Sequence, residues 1–365
     1  MCARPRGIRG KENARVNLYI AILAGGSGTR FWPACTRSVP KQLLPLAGGA
    51  PLLRETYDRI AALSPPANVA VITSARFVDD VRRLLPEIPA ENAIGEPAGR
   101  NTAAACAVAA NWARSRDPDA VLLTLPADHV ISPATDLRAA LLAAASHAQA
   151  ARSLVTLGLR PAYAATGYGW IRLSDVVATR DGRTVHRVGS FVEKPDRARA
   201  EQYLAQGDYL WNLGMFAWRA DVFLAETARL LPDVAAKAAF ATQSIERAYD
   251  GMPSISVDHG ILERAAVVDC VPCEFKWDDL GSFAALARHL KPDAAGNCAV
   301  GPVVAVDTKD CIAWGGAGGM TALLGVQDLI VVHANGVTLV AHRSRSEDVR
   351  KIVDSLGPVG LERFA

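Results

Sequence analysis

The sequence has little of what marks a secreted, membrane-bound or nucleic-acid-binding chain. Its formal net charge is only +3 over 365 residues, so there is no broad basic field and no nucleic-acid partner is expected. The local exception is the amino terminus, where Arg4, Arg6, Arg9, Lys11 and Arg15 face only Glu12. No apolar core follows these charges, so neither a signal peptide nor a membrane anchor is expected. Residues 1–16 read as a mobile basic tail, with a contact for anionic partners as the weaker alternative. The seven cysteines, Cys2, Cys35, Cys106, Cys270, Cys273, Cys298 and Cys311, are odd in number and scattered through apolar segments. A disulfide framework is therefore not expected, and a reduced cytoplasm fits best. Cys270-Val-Pro-Cys273 has the spacing of half a zinc site but lacks a second such pair or paired histidines, and it lies in a β-like run. There is no strict internal repeat and no Pro- or Ser-rich linker.

What is present fits a globular chain: 50% hydrophobic and 21% charged residues. This length calls for one large α/β domain with a smaller appendage. Apolar runs at 19–23, 69–73 and 121–125 alternate with alanine-rich amphipathic stretches near 52–63, 75–85 and 102–114. Such alternation predicts βαβ units in a Rossmann-like, mostly parallel mixed sheet flanked by helices. Residues 169–173, 185–192 and 215–218 read as further strands, and 220–231 and 232–249 as helices. Beyond residue 292, short apolar runs spaced by Gly, Asp and Asn predict a small β domain closed by a helix near 347–356. The boundaries expected are 17–290 for the large domain and 291–365 for the small one.

The densest chemistry follows the first apolar run: Ala24-Gly25-Gly26-Ser27-Gly28-Thr29-Arg30-Phe31-Trp32-Pro33, then Pro40-Lys41-Gln42. Three glycines close together let backbone N–H groups converge on an anion, while Arg30 and Lys41 supply positive charge. The P-loop is excluded because no Lys-Ser or Lys-Thr follows these glycines. The dinucleotide fingerprint is excluded because Phe31 stands where its third glycine belongs. A tight turn without a ligand is the plain alternative; with two cations beside it, the loop reads as equipment for a nucleoside triphosphate. Asp128 follows a predicted strand, where ligands of open α/β sheets gather, although an Asp there also serves as a local cap.

These motifs, together with Glu96-Pro97-Ala98-Gly99-Arg100-Asn101-Thr102, Leu125-Pro126-Ala127-Asp128-His129, Gly167-Tyr168-Gly169, Glu193-Lys194-Pro195, Trp211-Asn212-Leu213-Gly214-Met215-Phe216 and Trp277-Asp278-Asp279-Leu280-Gly281-Ser282, resemble the sugar-1-phosphate nucleotidyltransferases. The similarity runs over residues 17–355 and is greatest to the branch acting on mannose 1-phosphate with GTP. It implies the nucleotidyltransferase fold, a partial left-handed β-helix at the carboxyl end, and Mg²⁺ as cofactor. It also implies transfer of GMP to α-D-mannose 1-phosphate by in-line attack at the α-phosphorus. On this resemblance Arg30 and the N–H groups of residues 24–29 take the triphosphate and Lys41 stabilises charge on the reacting phosphates. Asp128 and Asp279 hold the metal, with Asp278 outside the site and His129 structural. Glu96, Asn101 and Thr102 take the nucleoside, Glu96 standing where thymidylyl and uridylyl relatives carry Gln; Asn101 as a plain helix cap remains open. Gly169, Glu193, Lys194 and Asn212 take the sugar phosphate, and Trp211, Phe216 and Trp218 form core or pocket walls.

The chain departs from the pattern at Ala34-Cys35-Thr36, where Leu-Ser-Arg is usual, with Arg37 as a possible substitute for the lost arginine, and at Leu213, where a small Ser is usual. A guanylyltransferase for another sugar, such as a heptose 1-phosphate, and a silent nucleotide-sugar-binding regulatory paralogue are the rivals. A length of 365 residues leaves no room for an added isomerase domain, so one activity is expected. A homodimer is possible, and no membrane partner is expected.

Overall fold

The computed structural model describes residues 16–26, 28–46, 49–315 and 319–365; the expected basic tail up to residue 15 and Ser27 lie outside them. Eleven strands build the first part: β1 Leu18–Ala24, β2 Val69–Ser74, β3 Ala93–Glu96, β4 Val121–Pro126, β5 Val130–Ser132, β6 Leu154–Leu159, β7 Gly169–Arg180, β8 Arg183–Glu193, β9 Tyr209–Arg219, β10 Val268–Cys273 and β11 Lys276–Asp278. Nine of them form one sheet in the order β3-β2-β1-β4-β9-β6-β10-β8-β7. The first four are mutually parallel, as helical crossovers require, and β9 runs antiparallel to both β4 and β6. β1 is buried along nearly its whole length, so it reads as a continuous apolar run rather than an alternating one.

Helix Asn101–Arg116 covers one face with Ala103, Ala104, Cys106, Ala107 and Ala110 fully buried, alanine allowing close approach to the sheet. Helix Ala134–Ala151 covers the other. It is not among the expected helices: alanine on every face leaves no sharp apolar stripe for periodicity to detect. The stretch expected as one helix over 232–249 is two, Pro232–Ala238 and Ile245–Tyr249, separated by turns. The expected short strands at 169–173 and 185–192 are halves of a long hairpin, β7–β8, whose far end exposes Val176.

Register decides where chemistry collects. Leu23 pairs with both Ile72 and Pro126, and Ser74 pairs with Glu96. The glycine loop, Asp128 and Glu96 therefore leave the sheet along one edge, beyond the carboxyl ends of parallel strands. A separate antiparallel pair, β5 with β11, matches Val130 to Asp278. That match sets residue 279 beside residues 128 and 129.

The carboxyl-terminal part stacks short strands in two parallel columns. β12 Cys298–Val300, β14 Ile312–Gly315 and β16 Leu329–Ala334 form one, with β17 Val337–His342 antiparallel at its edge; β13 Val303–Val306 and β15 Thr321–Leu324 form the other. Helix Val349–Leu356 closes the chain against the glycine-loop segment. Phe31, Trp32 and Leu52 share one apolar cluster with Phe283, Ile312, Ile330, Val349 and Leu356. Trp32 Nε1 donates to Phe364 O at 2.6 Å, and Asn335 Nδ2 donates to Pro33 O at 2.9 Å.

Candidate active site

Two cavities of about 330 Å³ each open side by side at the carboxyl edge and share Gly26 and Asp128. The first is lined by Gly26, Gly28, Thr29, Arg30, Lys41, Asp128 and Asp279. Its shape depends on Gly28, whose φ of 62° is left-handed; a Cβ there would stand 2.7 Å from Lys41 Cβ. Lys41 is only 6% exposed. Its neighbour Gln42 donates from Nε2 to Ala24 O at 2.6 Å, tying the lysine's turn to the end of β1.

The Lys41 ammonium donates to Asp128 Oδ2 at 2.9 Å and to the backbone oxygen of Asp279 at 2.6 Å. One cation thus joins the loops that carry both expected carboxylates. Burial pushes the Asp128 carboxyl up, but Lys41 and His129 outweigh it and hold the group below its ordinary value. Asp279 Oδ1 accepts from Tyr168 Oη at 3.0 Å and from Gly281 N at 3.1 Å. Among the described residues, Asp279 Oδ2 accepts no hydrogen bond. Two hard carboxylates at the mouth of a phosphate-sized loop suit Mg²⁺, which takes few protein ligands and completes its shell with water and phosphate oxygens. Asp278 is turned away and paired with Arg288 at 2.6 Å. Trp277 Nε1 donates to His129 Nδ1 at 3.1 Å, and burial holds this imidazole below its ordinary value despite Asp128.

The second cavity is lined by Ala24, Gly25, Gly26, Glu96, Asn101, Thr102, Phe216, Val257 and Asp258. Glu96 Oε1 accepts from Tyr249 Oη at 2.6 Å, while Oε2 lies 3.1 Å from where a Cβ on Gly25 would stand. Burial raises the Glu96 carboxyl, and the Tyr249 bond tempers the rise. Asn101 and Thr102 are already engaged: Asn101 Oδ1 accepts from Thr102 N at 2.8 Å, and Thr102 Oγ1 accepts from Val257 N at 2.8 Å. Asn101 is itself the first residue of its helix, at a φ of 62°, and its bond to the adjacent N–H is not a helix cap; Thr102 anchors the segment that carries Asp258.

Gly169, Glu193 and Asn212 are packed together where β7, β8 and β9 meet. A Cβ on Gly169 would stand 2.7 Å from Glu193 Oε2 and 3.2 Å from Asn212 Cβ. Lys194 pairs with Glu193. The Asn212 amide is occupied within the protein: Oδ1 accepts from Thr156 Oγ1 at 2.8 Å and from Gly214 N at 3.3 Å, and Nδ2 donates to Asp258 Oδ1 at 2.8 Å. Asn212 therefore presents the Asp258 carboxylate toward the cleft. Phe216 lines the second cavity, whereas Trp211 and Trp218 are buried in apolar clusters behind it. Arg37 lies behind the glycine loop, where its backbone N–H donates to Ala365 O at 3.1 Å and its carbonyl accepts from Arg76.

Three site residues escape the sequence reading: Tyr168, Asp258 and Arg350. Tyr168 figures there only as backbone in a Gly-Tyr-Gly motif, and no local pattern announces Asp258. Burial, then the Glu193 carboxylate nearby, pushes Asp258 up to about 7 from an ordinary 3.8. The folded state holds this proton more tightly than the unfolded chain, so stability falls as pH rises from about 4 to about 7 and is level above. Asp258→Asn keeps an acceptor for Asn212 and removes the charge. It should stabilise the protein at pH 8 relative to pH 4.5 by about 2 kcal/mol, a value discounted because the carboxylate opens on the cleft. Denaturant melts of both proteins at the two pH values check it; equal differences would refute it.

A cleft with a glycine loop, paired cations and two carboxylates at the end of a parallel sheet defines an enzyme that handles nucleotide phosphates. Comparison with known proteins agrees. Residues 20–295 match the family described as nucleotidyl transferase, and residues 301–356 match the MannoseP isomerase/GMP-like beta-helix domain. The xanthan biosynthesis protein XanB of Xanthomonas campestris pv. campestris is 37% identical over 350 residues, covering 93% of this chain and 73% of its own. The mannose-1-phosphate guanylyltransferase of Escherichia coli K12 is 36% identical over 358 residues, covering 94% and 74%. A crystal structure from Thermus thermophilus, described as a mannose-1-phosphate geranyltransferase, superposes with a TM-score of 0.83 at 34% identity, covering 94% of this chain and 100% of that one. The chain belongs to the nucleotidyl transferase family and is a nucleotidyltransferase.

Proposed function

We propose that this enzyme transfers GMP from GTP to α-D-mannose 1-phosphate, giving GDP-mannose and pyrophosphate. The observation that carries the reading is the buried Lys41 ammonium, joined to Asp128 and to the Asp279 backbone at the mouth of the glycine loop. An oxygen of the sugar phosphate forms a new bond to the α-phosphorus while the bond to the bridging oxygen of the leaving pyrophosphate breaks. No covalent enzyme intermediate is needed. Both reactants are anions, so alignment and charge neutralisation supply the acceleration. The loop N–H groups and Arg30 hold the triphosphate, and Lys41 faces the reacting phosphates. Mg²⁺, held by Asp128 and Asp279, would supply further positive charge toward the α-phosphate and the departing group. Glu193 and Asp258 offer acceptors to sugar or ribose hydroxyls, and Lys194 offers charge to the sugar phosphate. Relatives named for mannose 1-phosphate support the sugar assignment. The described cysteines are all unpaired and buried, which suits the cytoplasm.

Guanine presents N1–H and an exocyclic amine on one edge, and the Glu96 carboxylate supplies acceptors for them. Glu96→Gln removes one acceptor from that set. Its KM for GTP should rise about tenfold or more, with the preference over ATP reduced. The test of the whole reading is pyrophosphate release measured over GTP, ATP and dTTP against mannose, glucose and heptose 1-phosphates. The expected maximum is GTP with mannose 1-phosphate; equal rates with all nucleotides would end the guanine assignment, and a heptose maximum would replace the sugar.

A further inference from the structure

Among the described residues that line the two cavities, one lies beyond residue 290. Arg350, from the carboxyl-terminal helix Val349–Leu356, lines the phosphate cavity together with Gly28, Thr29, Arg30, Lys41 and Asp279. Its backbone is held there. Val349 and Leu356 are buried in the apolar cluster shared with Phe31 and Trp32, and Ser346 Oγ accepts from Ala284 N at 3.1 Å, just beyond the Asp279 turn. Its guanidinium is not held: the side chain is 69% exposed, and the ion-pair partner found, Asp354, is 3.7 Å away and 65% exposed. A fixed backbone and an uncommitted planar cation at the edge of an anion cavity suit reversible binding of phosphate oxygens.

Charge accounting in the cavity favours such a group. Asp128 and Asp279 offset Lys41 and Arg30, so the lining without Arg350 is close to neutral. A magnesium-bound triphosphate remains an anion, and a sugar phosphate adds more negative charge. Resting on the proposed nucleotidyl transfer, we propose that Arg350 is a third phosphate-binding cation, contributed by the β domain, which takes the β- and γ-phosphates of the nucleotide and then the pyrophosphate leaving group. The small β domain thereby completes the site rather than only capping the large one. Arg30 sits on the same 3₁₀ turn, Thr29–Phe31, that the carboxyl-terminal helix packs against, so the two arginines approach the polyphosphate from different elements.

The test compares the full-length wild-type protein with Arg350→Ala, Arg350→Lys and the neighbouring Lys351→Ala. The last removes the same charge from a residue that does not line the cavity and pairs with Asp348 at 2.6 Å. With Mg²⁺ present, Arg350→Ala should raise the KM for GTP and the inhibition constant of inorganic pyrophosphate about tenfold, leave the KM for the sugar phosphate within about twofold, and leave Tm unchanged. Arg350→Lys should recover part of the loss, and Lys351→Ala should match wild type. Calorimetric titration of Mg²⁺ with pyrophosphate gives the same comparison without turnover. Failure of the wild type to turn over GTP with any sugar phosphate would thus count against the proposed reaction, while the binding difference still judges Arg350. Equal pyrophosphate affinity in wild type and Arg350→Ala, or an equal loss in Lys351→Ala, would overturn the inference.

Discussion

Asp279→Asn is expected to lower kcat for pyrophosphate release by about two to three orders of magnitude while leaving the fold intact. The substitution is nearly isosteric. Oδ1 of asparagine still accepts from Tyr168 Oη and Gly281 N, so the turn keeps both bonds that now shape it. What is lost is the negative charge of a group that lines the cavity. The defect should appear as a higher Mg²⁺ concentration for half-maximal activity, with part of the activity returning at high metal concentration. An unchanged kcat at every Mg²⁺ concentration would show that Asp279 is no metal ligand. A collapse in Tm would instead show that the carboxylate holds the turn.

Lys41→Met tests the other half of the arrangement. The methionine fills similar space, so the packing against Gly28 is kept, but the ammonium that joins two loops is gone. A preorganised cation at developing phosphate charge contributes about 10²–10³ in kcat, and that loss is expected here. Stability should fall by about 1–2 kcal/mol, because the Asp128 carboxylate, one-third exposed, loses its counter-charge to water rather than to a dry core. Arginine should not restore the rate. Its longer planar fork does not fit a residue so closely enclosed and bonded to both an oxygen of Asp128 and a backbone carbonyl. Single-turnover measurements with GTP separate the chemical step from binding; a rate within about threefold of wild type would remove Lys41 from catalysis.

How much of this was legible in sequence depends on how local each signal is. The glycine cluster, the cations beside it and the apolar run before it are all within one short segment, so the loop and β1 were readable together. Alanine-rich segments were less so. Helix Asn101–Arg116 is marked by flanking motifs, whereas Ala134–Ala151 has neither a strong stripe nor a motif to announce it. The orientation of the candidate nucleoside and sugar-phosphate residues was not legible. Asn101 and Thr102 spend their side chains on backbone groups, and the amide of Asn212 is turned to Asp258 instead of standing free. Hydrogen-bond partners between strands remote in sequence decide such orientation, and no spacing encodes it.

The sequence by itself determined the chemical inventory and the α/β class: a backbone loop able to approach an anion, two cations beside it, carboxylates suited to a hard metal, and alternating strands and helices. Those features follow from residue type and short-range period. Only the tertiary structure decided which groups share a cleft. Asp279 stands beside Asp128 because β11 pairs with β5 in one register, and Lys41 meets a carbonyl 238 residues away. Arg350 reaches the cavity of the glycine loop because an apolar cluster fixes the helix Val349–Leu356 against Phe31 and Trp32. Register and docking are set by the packing of distant surfaces, a property of the folded chain and of no single segment.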